Sequence, residues 1–249
     1  MELNDRLYRL FLNKAQKVDV EIVSIGLGYT AVTTSDGGMG LAYTYFKDKE
    51  SCVLLNRAVD YEGRPASELL ERIKSENTIE RSMALALINA LNYQQALKLP
   101  EDKKNQILFD EFNIGTGTRV AMVGYFGPLV DMLHQQNAKL EILDESRNLG
   151  QEEAFYKKLE NWADVLFLTS TSILNNTSEK ILGHAHPDIK TVMLGPSTPM
   201  IGPAFEHLAV HMLAGTVPID KESILKAVRH GMGTPILHKF SRKSYLNLR

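Results

Sequence analysis

The stretch Arg119-Val-Ala-Met-Val-Gly-Tyr-Phe-Gly-Pro-Leu129 decides the fold that the sequence predicts. Its residues from Val120 to Val123 are all apolar, which is typical of a strand buried on both faces of a sheet. Glycine permits the tight turn that follows, and Pro128 suits the first turn of a helix. We therefore predict a strand, a turn and a helix in this order.

Further short apolar runs follow this strand, and segments with helical spacing separate them. The runs cover residues 138–144, 165–169, 190–194 and 208–213. Strands joined by helices in this way form right-handed crossovers, so residues 113–249 are predicted to form an α/β domain with a doubly wound parallel sheet. A last helix is predicted at residues 221–230, with Asp220 as its N-cap.

Residues 1–112 have a different pattern, which predicts a small α+β domain. Leucines and Phe11 recur at helical spacing over residues 2–17, and glycine-rich turns separate three strand-like runs. These runs predict an antiparallel meander over residues 18–22, 29–34 and 40–46. Helices are expected at 65–75 and 79–97, where Asn77 and Glu80 form a capping box.

Composition limits the classes of protein that the chain can belong to. The 249 residues are 44% apolar and 23% charged, as in an ordinary globular protein of one large or two modest domains. No apolar run reaches the ~18 residues of a membrane helix, and the first six residues do not resemble a signal peptide, so we expect a cytoplasmic protein without a membrane partner. A net charge of −2 argues against a nucleic-acid partner.

The C-terminal tail is basic. It contains Lys239, Arg242, Lys243 and Arg249 and no acidic residue. Two interpretations remain open, a tail that packs on the body or on a partner, and a disordered tail.

The loops that follow the predicted strands are the candidate ligand site, because the carboxyl ends of parallel strands meet at one crevice. Gly124 would let the backbone approach a ligand, and the helix that begins at Pro128 would favour an anion. This loop lacks the three glycines of the dinucleotide-binding motif. Glu145 lies 21 positions after Gly124, where it could accept hydrogen bonds from ribose or ligate a metal. The alternative for the Gly124 loop is a tight turn without a ligand, and the alternative for the Glu145 loop is a solvated acidic turn.

Two later loops are rich in hydroxyl groups. Residues 169–172 read Thr-Ser-Thr-Ser, which suits a polar ligand or a phosphate. Asn176, with Glu179 three residues later, is interpreted as a helix N-cap. In the loop Gly195-Pro-Ser-Thr-Pro199, two prolines would fix the positions of the Ser197 and Thr198 hydroxyls before a ligand binds.

Other side chains give weaker signals for chemistry. The pairs His184 and His186, and His207 and His211, have spacings that a metal could use, but structural roles are favoured for both. The single Cys52 excludes an internal disulfide and an all-cysteine metal site, and is interpreted as a buried thiol. No G-x-S-x-G motif of a serine hydrolase occurs.

At several of these motifs the chain resembles the heavy-metal chelation domain family, a family of largely unknown function. The matching segments are VGYFGPL (123–129), LDE (143–145), TSTSILNNT (169–177), GPSTPM (195–200), LAGTVPID (213–220), the turn at 37–42 and the helix at 80–90. The resemblance implies an enolase N-terminal-like domain at 1–112, a Rossmann-like domain at 113–249 and a site at their interface. The site residues that it implies are Gly124, Phe126, Pro128, Glu145, Thr171, Asn176, Thr177, Gly195, Pro196, Ser197 and Thr198, with Gly38 and Arg81 from the first domain.

Three functions remain open at this point. The first is binding or processing of a metal chelator or metal-linked small molecule between the domains, with a metal ion or metal chelate as the bound group. The second is an enzyme that uses a nucleotide or an S-adenosylmethionine-like cofactor. The third is a non-catalytic scaffold that forms a homo-oligomer. Arg81 could reach an acidic ligand across the interface or form a surface salt bridge.

Overall fold

Two separate sheets organise the described residues, which are 2–46 and 60–248 of this computed structural model. The smaller sheet is an antiparallel meander of β1 (Val20–Ile25), β2 (Tyr29–Thr34) and β3 (Met39–Tyr43). The meander is confirmed, although β1 begins and ends later than predicted and β3 ends before residue 46. Cys52 lies outside the described residues.

In the N-terminal part, the helix at Thr78–Leu91 packs on this meander, and the other helices pack on that helix. The helices of this part are α1 (Glu2–Ala15), α2 (Ala66–Leu70), α3 (Thr78–Leu91) and α4 (Tyr93–Ala96), with a 3-10 turn at Glu71–Lys74. The Asn77 side chain caps α3 as predicted, because its oxygen accepts hydrogen bonds from Ile79 N at 2.8 Å and Glu80 N at 3.3 Å. The single helix predicted over 79–97 is wrong. Asn92 separates α3 from α4, and its side chain donates to Met200 O at 2.9 Å.

The larger sheet has six strands in the order β5-β4-β6-β7-β8-β9. All neighbours are parallel except β8 and β9, which confirms the doubly wound α/β prediction. The strands are β4 (Arg119–Val123), β5 (Lys139–Leu143), β6 (Val165–Thr169), β7 (Lys190–Leu194), β8 (Met212–Pro218) and β9 (Ser241–Asn247).

The helices of this part are α5 (Gln106–Glu111), α6 (Gly127–Gln135), α7 (Glu152–Asn161), α8 (Thr171–Leu174), α9 (Ser178–Gly183), α10 (Lys221–Arg229) and α11 (Thr234–Leu237). Helices α5 to α7 pack on the larger sheet, whereas α10 packs on β1 and β2 of the smaller sheet. Asp220 caps α10 as predicted, with Oδ1 accepting from Ser223 N at 3.1 Å. Among the helices that the structure describes, none is long and apolar enough to cross a membrane.

The strand predicted at 208–213 is wrong, because β8 begins only at Met212 and continues to Pro218. Leu208 and Val210 are buried, yet they lie in an irregular segment before the strand. The apolar residues before Met212 therefore indicate a buried segment and not a strand. The true strand includes Gly215 and Thr216, which interrupt its apolar character.

The basic tail folds back onto the body, and its disordered interpretation is wrong for residues 241–247. These residues form β9, which pairs antiparallel with β8 from Pro218↔Ser241 to Met212↔Asn247. The outer side of β9 is also bonded, because Asp102 N donates to Lys243 O at 3.1 Å and Tyr245 N to Pro100 O at 3.3 Å. Arg249 lies outside the described residues.

One hydrophobic core connects the N-terminal helices to the larger sheet. A single cluster includes Leu7 and Leu85 from α1 and α3 together with Leu166, Leu168 and Leu213 from the sheet. A second cluster lies on the opposite face, between that face and helices α5 and α6. The N-terminal elements therefore cover one face of the larger sheet, beside α7 to α9.

Candidate functional site

The carboxyl ends of β4, β5 and β6 form the topological switch point of the larger sheet. The chain passes from β4 to β5 on one side and then to β6 on the other side of β4. In open parallel sheets the loops diverge at such a point and leave a crevice for a ligand. We call the region where this crevice is expected the carboxyl-edge crevice. The loops at residues 124–127, 144–147 and 169–171 follow β4, β5 and β6 at this edge.

The loop after β4 presents its backbone to this crevice. Gly124 has a φ of +83°, and a Cβ there would lie 3.0 Å from Thr169 Cβ, so both the turn and the neighbouring loop require glycine. Leu129 N and Val130 N donate to Phe126 O. Within the described residues, the N–H groups of Tyr125, Phe126 and Gly127 have no acceptor. The loop can therefore donate to an anion at the start of α6.

The loop after β5 adds charged groups of both signs. Glu145 begins an exposed 3-10 turn, and Asp144 caps this turn by accepting from Arg147 N at 3.1 Å. The Arg147 guanidinium lies 4.7 Å from the centre of the Tyr125 ring, which is 40% exposed. Sequence reasoning missed Tyr125 and Arg147, although Tyr125 lies within the loop that it selected.

In the loop after β6, two of the four hydroxyl-bearing side chains are half-buried and two are buried. Thr169 Oγ1 and Thr171 Oγ1 are half-buried and hydrogen-bonded to each other at 3.0 Å. Ser170 and Ser172 are buried, and Ser172 bonds to Ser178 at 2.7 Å inside the protein. Of the four hydroxyls predicted here, those of Ser170 and Ser172 are therefore buried inside the protein.

The loop after β7 lies between the larger sheet and the N-terminal elements. Gly195 has a φ of +126°, and Pro196 is half-buried. Ser197 is fully buried, and its Oγ accepts from Tyr43 N of β3 at 2.7 Å. Thr198 Oγ1 is also buried, has no partner among the described residues and borders a cavity of about 10 Å³. The structure places these hydroxyls in the packing between the two sheets.

Gly38 lies instead within the N-terminal part, where the start of β3 contacts α3. A Cβ at Gly38 would be 2.3 Å from Ala90 O of α3 and 2.5 Å from Thr34 Oγ1. Its position allows β3 to approach the helix backbone closely.

Arg81 and Asn176, both predicted site residues, come together at the interface. Arg81 is buried, and it donates from Nε to Leu174 O at 2.5 Å and from Nη1 to Ser75 O at 2.6 Å. In the orientation that satisfies its hydrogen bonds, the Asn176 carboxamide oxygen accepts from Arg81 Nη1 at 3.2 Å. Burial lowers the pKa of Arg81 from its usual value. Arg81 therefore bonds to residues of both parts of the chain, and its acceptors are backbone carbonyls and an amide. Its contact with an acidic ligand stays a prediction. The surface salt bridge is not formed with any residue that the structure describes.

Asn176 does not cap a helix, so that prediction is wrong. Helix α9 begins at Ser178 with Thr177 as the N-cap residue, and Asn176 adopts the left-handed conformation with a φ of +62°. Its amide also lies 3.0 Å from that of Asn4. The half-buried Thr177 donates from Oγ1 to Asn175 Oδ1 at 2.7 Å.

The histidine pairs have separate partners. His184 Nδ1 lies 3.0 Å from Glu160 Oε1, whereas Asp188 N donates to His186 Nδ1 at 3.3 Å. His207 lies 3.9 Å from Glu179 Oε1, and Thr191 N donates to His211 Nδ1 at 3.0 Å.

Within residues 2–46 and 60–248, no group of three or more His, Cys, Asp or Glu side chains could hold a metal ion. The described donors therefore do not fit a heavy-metal ion held by protein side chains alone.

Comparisons with known proteins agree with the fold. An uncharacterized protein of Methanocaldococcus jannaschii is 22% identical over 97% of this chain and 95% of its own. Two crystal structures of DUF364-family proteins of unknown function share the fold. The Pyrococcus horikoshii protein has a TM-score of 0.80 at 22% identity, covering 99% of this chain and 100% of that one. The Desulfitobacterium hafniense protein has a TM-score of 0.77 at 21% identity, covering 96% and 97%.

Two family models match the chain, over residues 107–247 and 8–92, and both carry the description "Putative heavy-metal chelation". The first match alone covers more than half of the sequence and contains every loop of the carboxyl-edge crevice. The resemblance found in the sequence is confirmed, and the chain belongs to the DUF364 family.

Proposed function

We propose that this protein binds an anionic, oxygen-rich small molecule, a metal chelator or its metal complex, in the carboxyl-edge crevice. The observation that carries the proposal is the loop after β4, where the backbone N–H groups of Tyr125, Phe126 and Gly127, at the start of α6, have no described acceptor. Such donors bind carboxylate or phosphate oxygens.

The other groups around the crevice suit the same ligand. Arg147 supplies a positive charge, and the hydroxyls of Thr169 and Thr171 can donate or accept. Glu145 is exposed, so its carboxylate can accept from ligand hydroxyls or complete the coordination of a metal that the ligand carries.

A chelate explains the donor set better than a bare ion does. Soft heavy metals prefer thiolate and imidazole ligands, whereas the crevice offers N–H groups, hydroxyls, a guanidinium and a carboxylate. These groups recognise the organic part of a chelate, which brings the donor atoms for its metal. The family description supports a relation to metals.

Isothermal titration calorimetry tests the proposal. The titrants are citrate, nitrilotriacetate, their Zn²⁺ and Fe³⁺ complexes, and the metal salts alone. We expect at least one chelator or complex to bind more tightly than its metal salt. Glu145→Ala and Arg147→Ala should weaken this binding. Glu153→Ala, which changes an exposed acid on α7, is the control and should leave it unchanged. Equal affinity in all variants, or heat from the metal salts only, would contradict the proposal.

A second candidate is an enzyme with a nucleotide or S-adenosylmethionine-like cofactor. It is favoured by one observation, the parallel pairing of β4 with β5 that puts Glu145 beside the Gly124 turn. Nucleotide-binding folds place the acid that bonds the ribose at the end of the corresponding strand. A ligand at 100 times its dissociation constant stabilises a protein by about 2.7 kcal/mol, so thermal shifts with ATP, NAD and S-adenosylmethionine separate the two candidates.

A further inference from the structure

The turn between β1 and β2 exposes apolar side chains at one end of the smaller sheet. Leu27 is 74% exposed, more than any other large apolar side chain that the structure describes, and Ile25 and Met232 are 40% and 36% exposed. Single exposed apolar residues are common, whereas neighbouring ones indicate an interaction surface. We call Ile25, Leu27 and Met232 the hairpin-tip patch. None of them takes part in the proposed function, so the inference below is independent of that proposal.

Two segments that are distant in sequence form this patch. A Cβ at Gly231 would lie 3.3 Å from Leu27 Cδ1, so Leu27 packs on the turn that follows α10 and leads to Met232. The β1–β2 turn approaches the same helix end, because a Cβ at Gly26 would lie 2.1 Å from Val228 O. The exposed side chains of the two segments are therefore neighbours.

Hydrogen bonds hold the backbone of both segments in place. Gly26 N donates to Tyr29 O at 2.9 Å across the β1–β2 turn, and Met232 N donates to Ala227 O at 2.9 Å at the end of α10. An ordered backbone lowers the entropic cost of binding a partner. The patch is thus prepared for contact with another surface.

Acidic side chains lie on the side of the patch that β1 forms. Glu62 Oε1 accepts from Val23 N at 2.8 Å, which places this carboxylate beside the strand that leads to the patch. Glu21 is a second exposed acid, on β1 itself. Neither carboxylate has an ion pair with a residue that the structure describes, whereas the basic Arg64 nearby is paired with Glu68 at 3.2 Å.

Basic side chains lie on the other side of the patch, at the end of α10. Arg229 ends this helix and His230 follows it, directly before the Gly231 turn on which Leu27 packs. Both are exposed, and within the described residues neither side chain has an ion pair or a hydrogen bond. The apolar patch therefore lies between unpaired acids and an unpaired guanidinium.

We propose that the hairpin-tip patch is a two-fold dimer interface between copies of this chain. In such a contact the same surface of each copy meets the other in the opposite direction. The apolar side chains then meet at the centre, and the Glu21 side of each copy faces the Arg229 side of the other. A patch flanked by cations alone would favour an anionic membrane or an acidic protein, whereas flanks of opposite sign complement a second copy.

The size of the patch sets the expected affinity. Stable dimers bury about 800 Å² or more on each partner around an apolar centre. Three partly exposed apolar side chains form a small centre, so we expect a weak dimer with a dissociation constant of about 1 to 100 µM.

Sedimentation velocity of the full chain at about 1 to 200 µM tests the proposal. We expect the sedimentation coefficient to rise from that of a monomer towards that of a dimer. Leu27→Asp should weaken the dimer about tenfold or more, because it places a charge in the apolar centre. Leu10→Asp makes the same change at another exposed leucine, on α1, and should leave the dissociation constant unchanged. A wild type that stays monomeric throughout, or equal affinity of the two variants, would overturn the proposal.

Charge variants test the orientation of the two copies. Glu21→Lys and Arg229→Glu should each weaken the dimer about tenfold or more, because each brings like charges together twice in a symmetric contact. A mixture of the two variants should form a heterodimer that is tighter than either homodimer, since one of its contacts keeps the native charges and the other has both charges reversed. Sedimentation of the mixture at the same total concentration measures this. A mixture that dimerises no more tightly than the separate variants would rule out the proposed contact between the acidic and basic sides.

Discussion

Ser197 and Thr198 are adjacent, yet their hydroxyl groups have opposite environments. Ser197 Oγ accepts from Tyr43 N at 2.7 Å, whereas the buried Thr198 Oγ1 has no partner among the described residues. Ser197→Ala should destabilise the protein by roughly 1 to 3 kcal/mol, because it leaves the Tyr43 N–H without its acceptor. Thr198→Val should leave the free energy of unfolding unchanged or raise it, since valine keeps the shape and removes an unpaired hydroxyl. Urea denaturation measures both variants, and a larger loss for Thr198→Val than for Ser197→Ala would contradict these assignments.

Gly38 gives a second prediction at the residue scale. Gly38→Ala should cost about 1 to 3 kcal/mol, because its Cβ would lie 2.3 Å from Ala90 O and would push β3 away from α3. Gly115→Ala is the control, since a Cβ there has no neighbour within 4 Å. The free energy of unfolding from urea denaturation should fall for the first variant only. A Gly38→Ala protein as stable as the control would show that this contact is not tight.

Single residues were predictable where their partners are close in sequence. Asn77 and Asp220 cap the helices that follow them, and Pro128 lies in the first turn of α6. Ser197 and Arg81 bond to groups that are 154 and 93 residues away. No local pattern could reveal these partners, so the sequence selected both residues without identifying the groups to which they bond.

At the scale of elements, strand β9 attaches the end of the chain to the end of α4. Arg242 Nη2 donates to Leu97 O at 2.6 Å and to Leu99 O at 2.8 Å. Arg242→Ala should destabilise the protein by roughly 1 to 3 kcal/mol, because these carbonyls lose a charged donor. Lys239→Ala removes an exposed charge just before the strand and should have little effect. Chemical denaturation of the two variants provides the measurement, and equal stability would mean that water replaces the guanidinium.

The turn before β9 predicts a pH dependence. Burial, with a smaller effect of Lys243, lowers the pKa of His238 from its usual 6.5 to about 4. Between these pH values the unfolded chain binds a proton that the folded protein does not, so the free energy of unfolding falls as the pH decreases from 6.5 to about 4. Above pH 6.5 this contribution to stability is complete.

A His238→Asn variant should lose this part of the pH dependence. Urea denaturation from pH 7.5 to 4.5 compares its slope with that of the wild type and of His134→Asn, which replaces an exposed histidine of α6. The same slope in the wild type and His238→Asn would show that His238 takes up its proton equally in both states.

Elements were predictable to different degrees for a physical reason. The central strands β4, β6 and β7 are apolar because both faces are covered, and their positions were predicted within a residue. Strand β9 is polar and partly exposed, and only its pairing with β8 and with residues 100–102 makes it a strand. Such pairing depends on distant segments, so a basic tail was all that the sequence indicated.

At the scale of the whole molecule, the division of the chain between residues 112 and 113 remains a prediction. The hydrophobic core indicates whether the two parts are stable separately. The cluster that contains Leu7 and Leu85 continues into Leu166 and Leu168 of the larger sheet. Separation of the two parts would expose apolar side chains of both and would break the contacts of Ser197 and Arg81. We therefore expect neither part to be stable without the other.

This expectation gives a prediction for unfolding. The chain should unfold in one cooperative transition, because a shared core couples the two sheets. Trp162 lies in the larger part, so its fluorescence reports on that part, whereas near-ultraviolet circular dichroism includes the coupled rings of Tyr29, Tyr43 and Tyr45 in the smaller one. The two signals should have the same urea midpoint in the wild type. Ser197→Ala should shift both midpoints together, since its hydrogen bond joins the parts. Separate midpoints, or a shift of only one signal in this variant, would mean that the parts unfold independently and that the continuous core contributes little to their coupling.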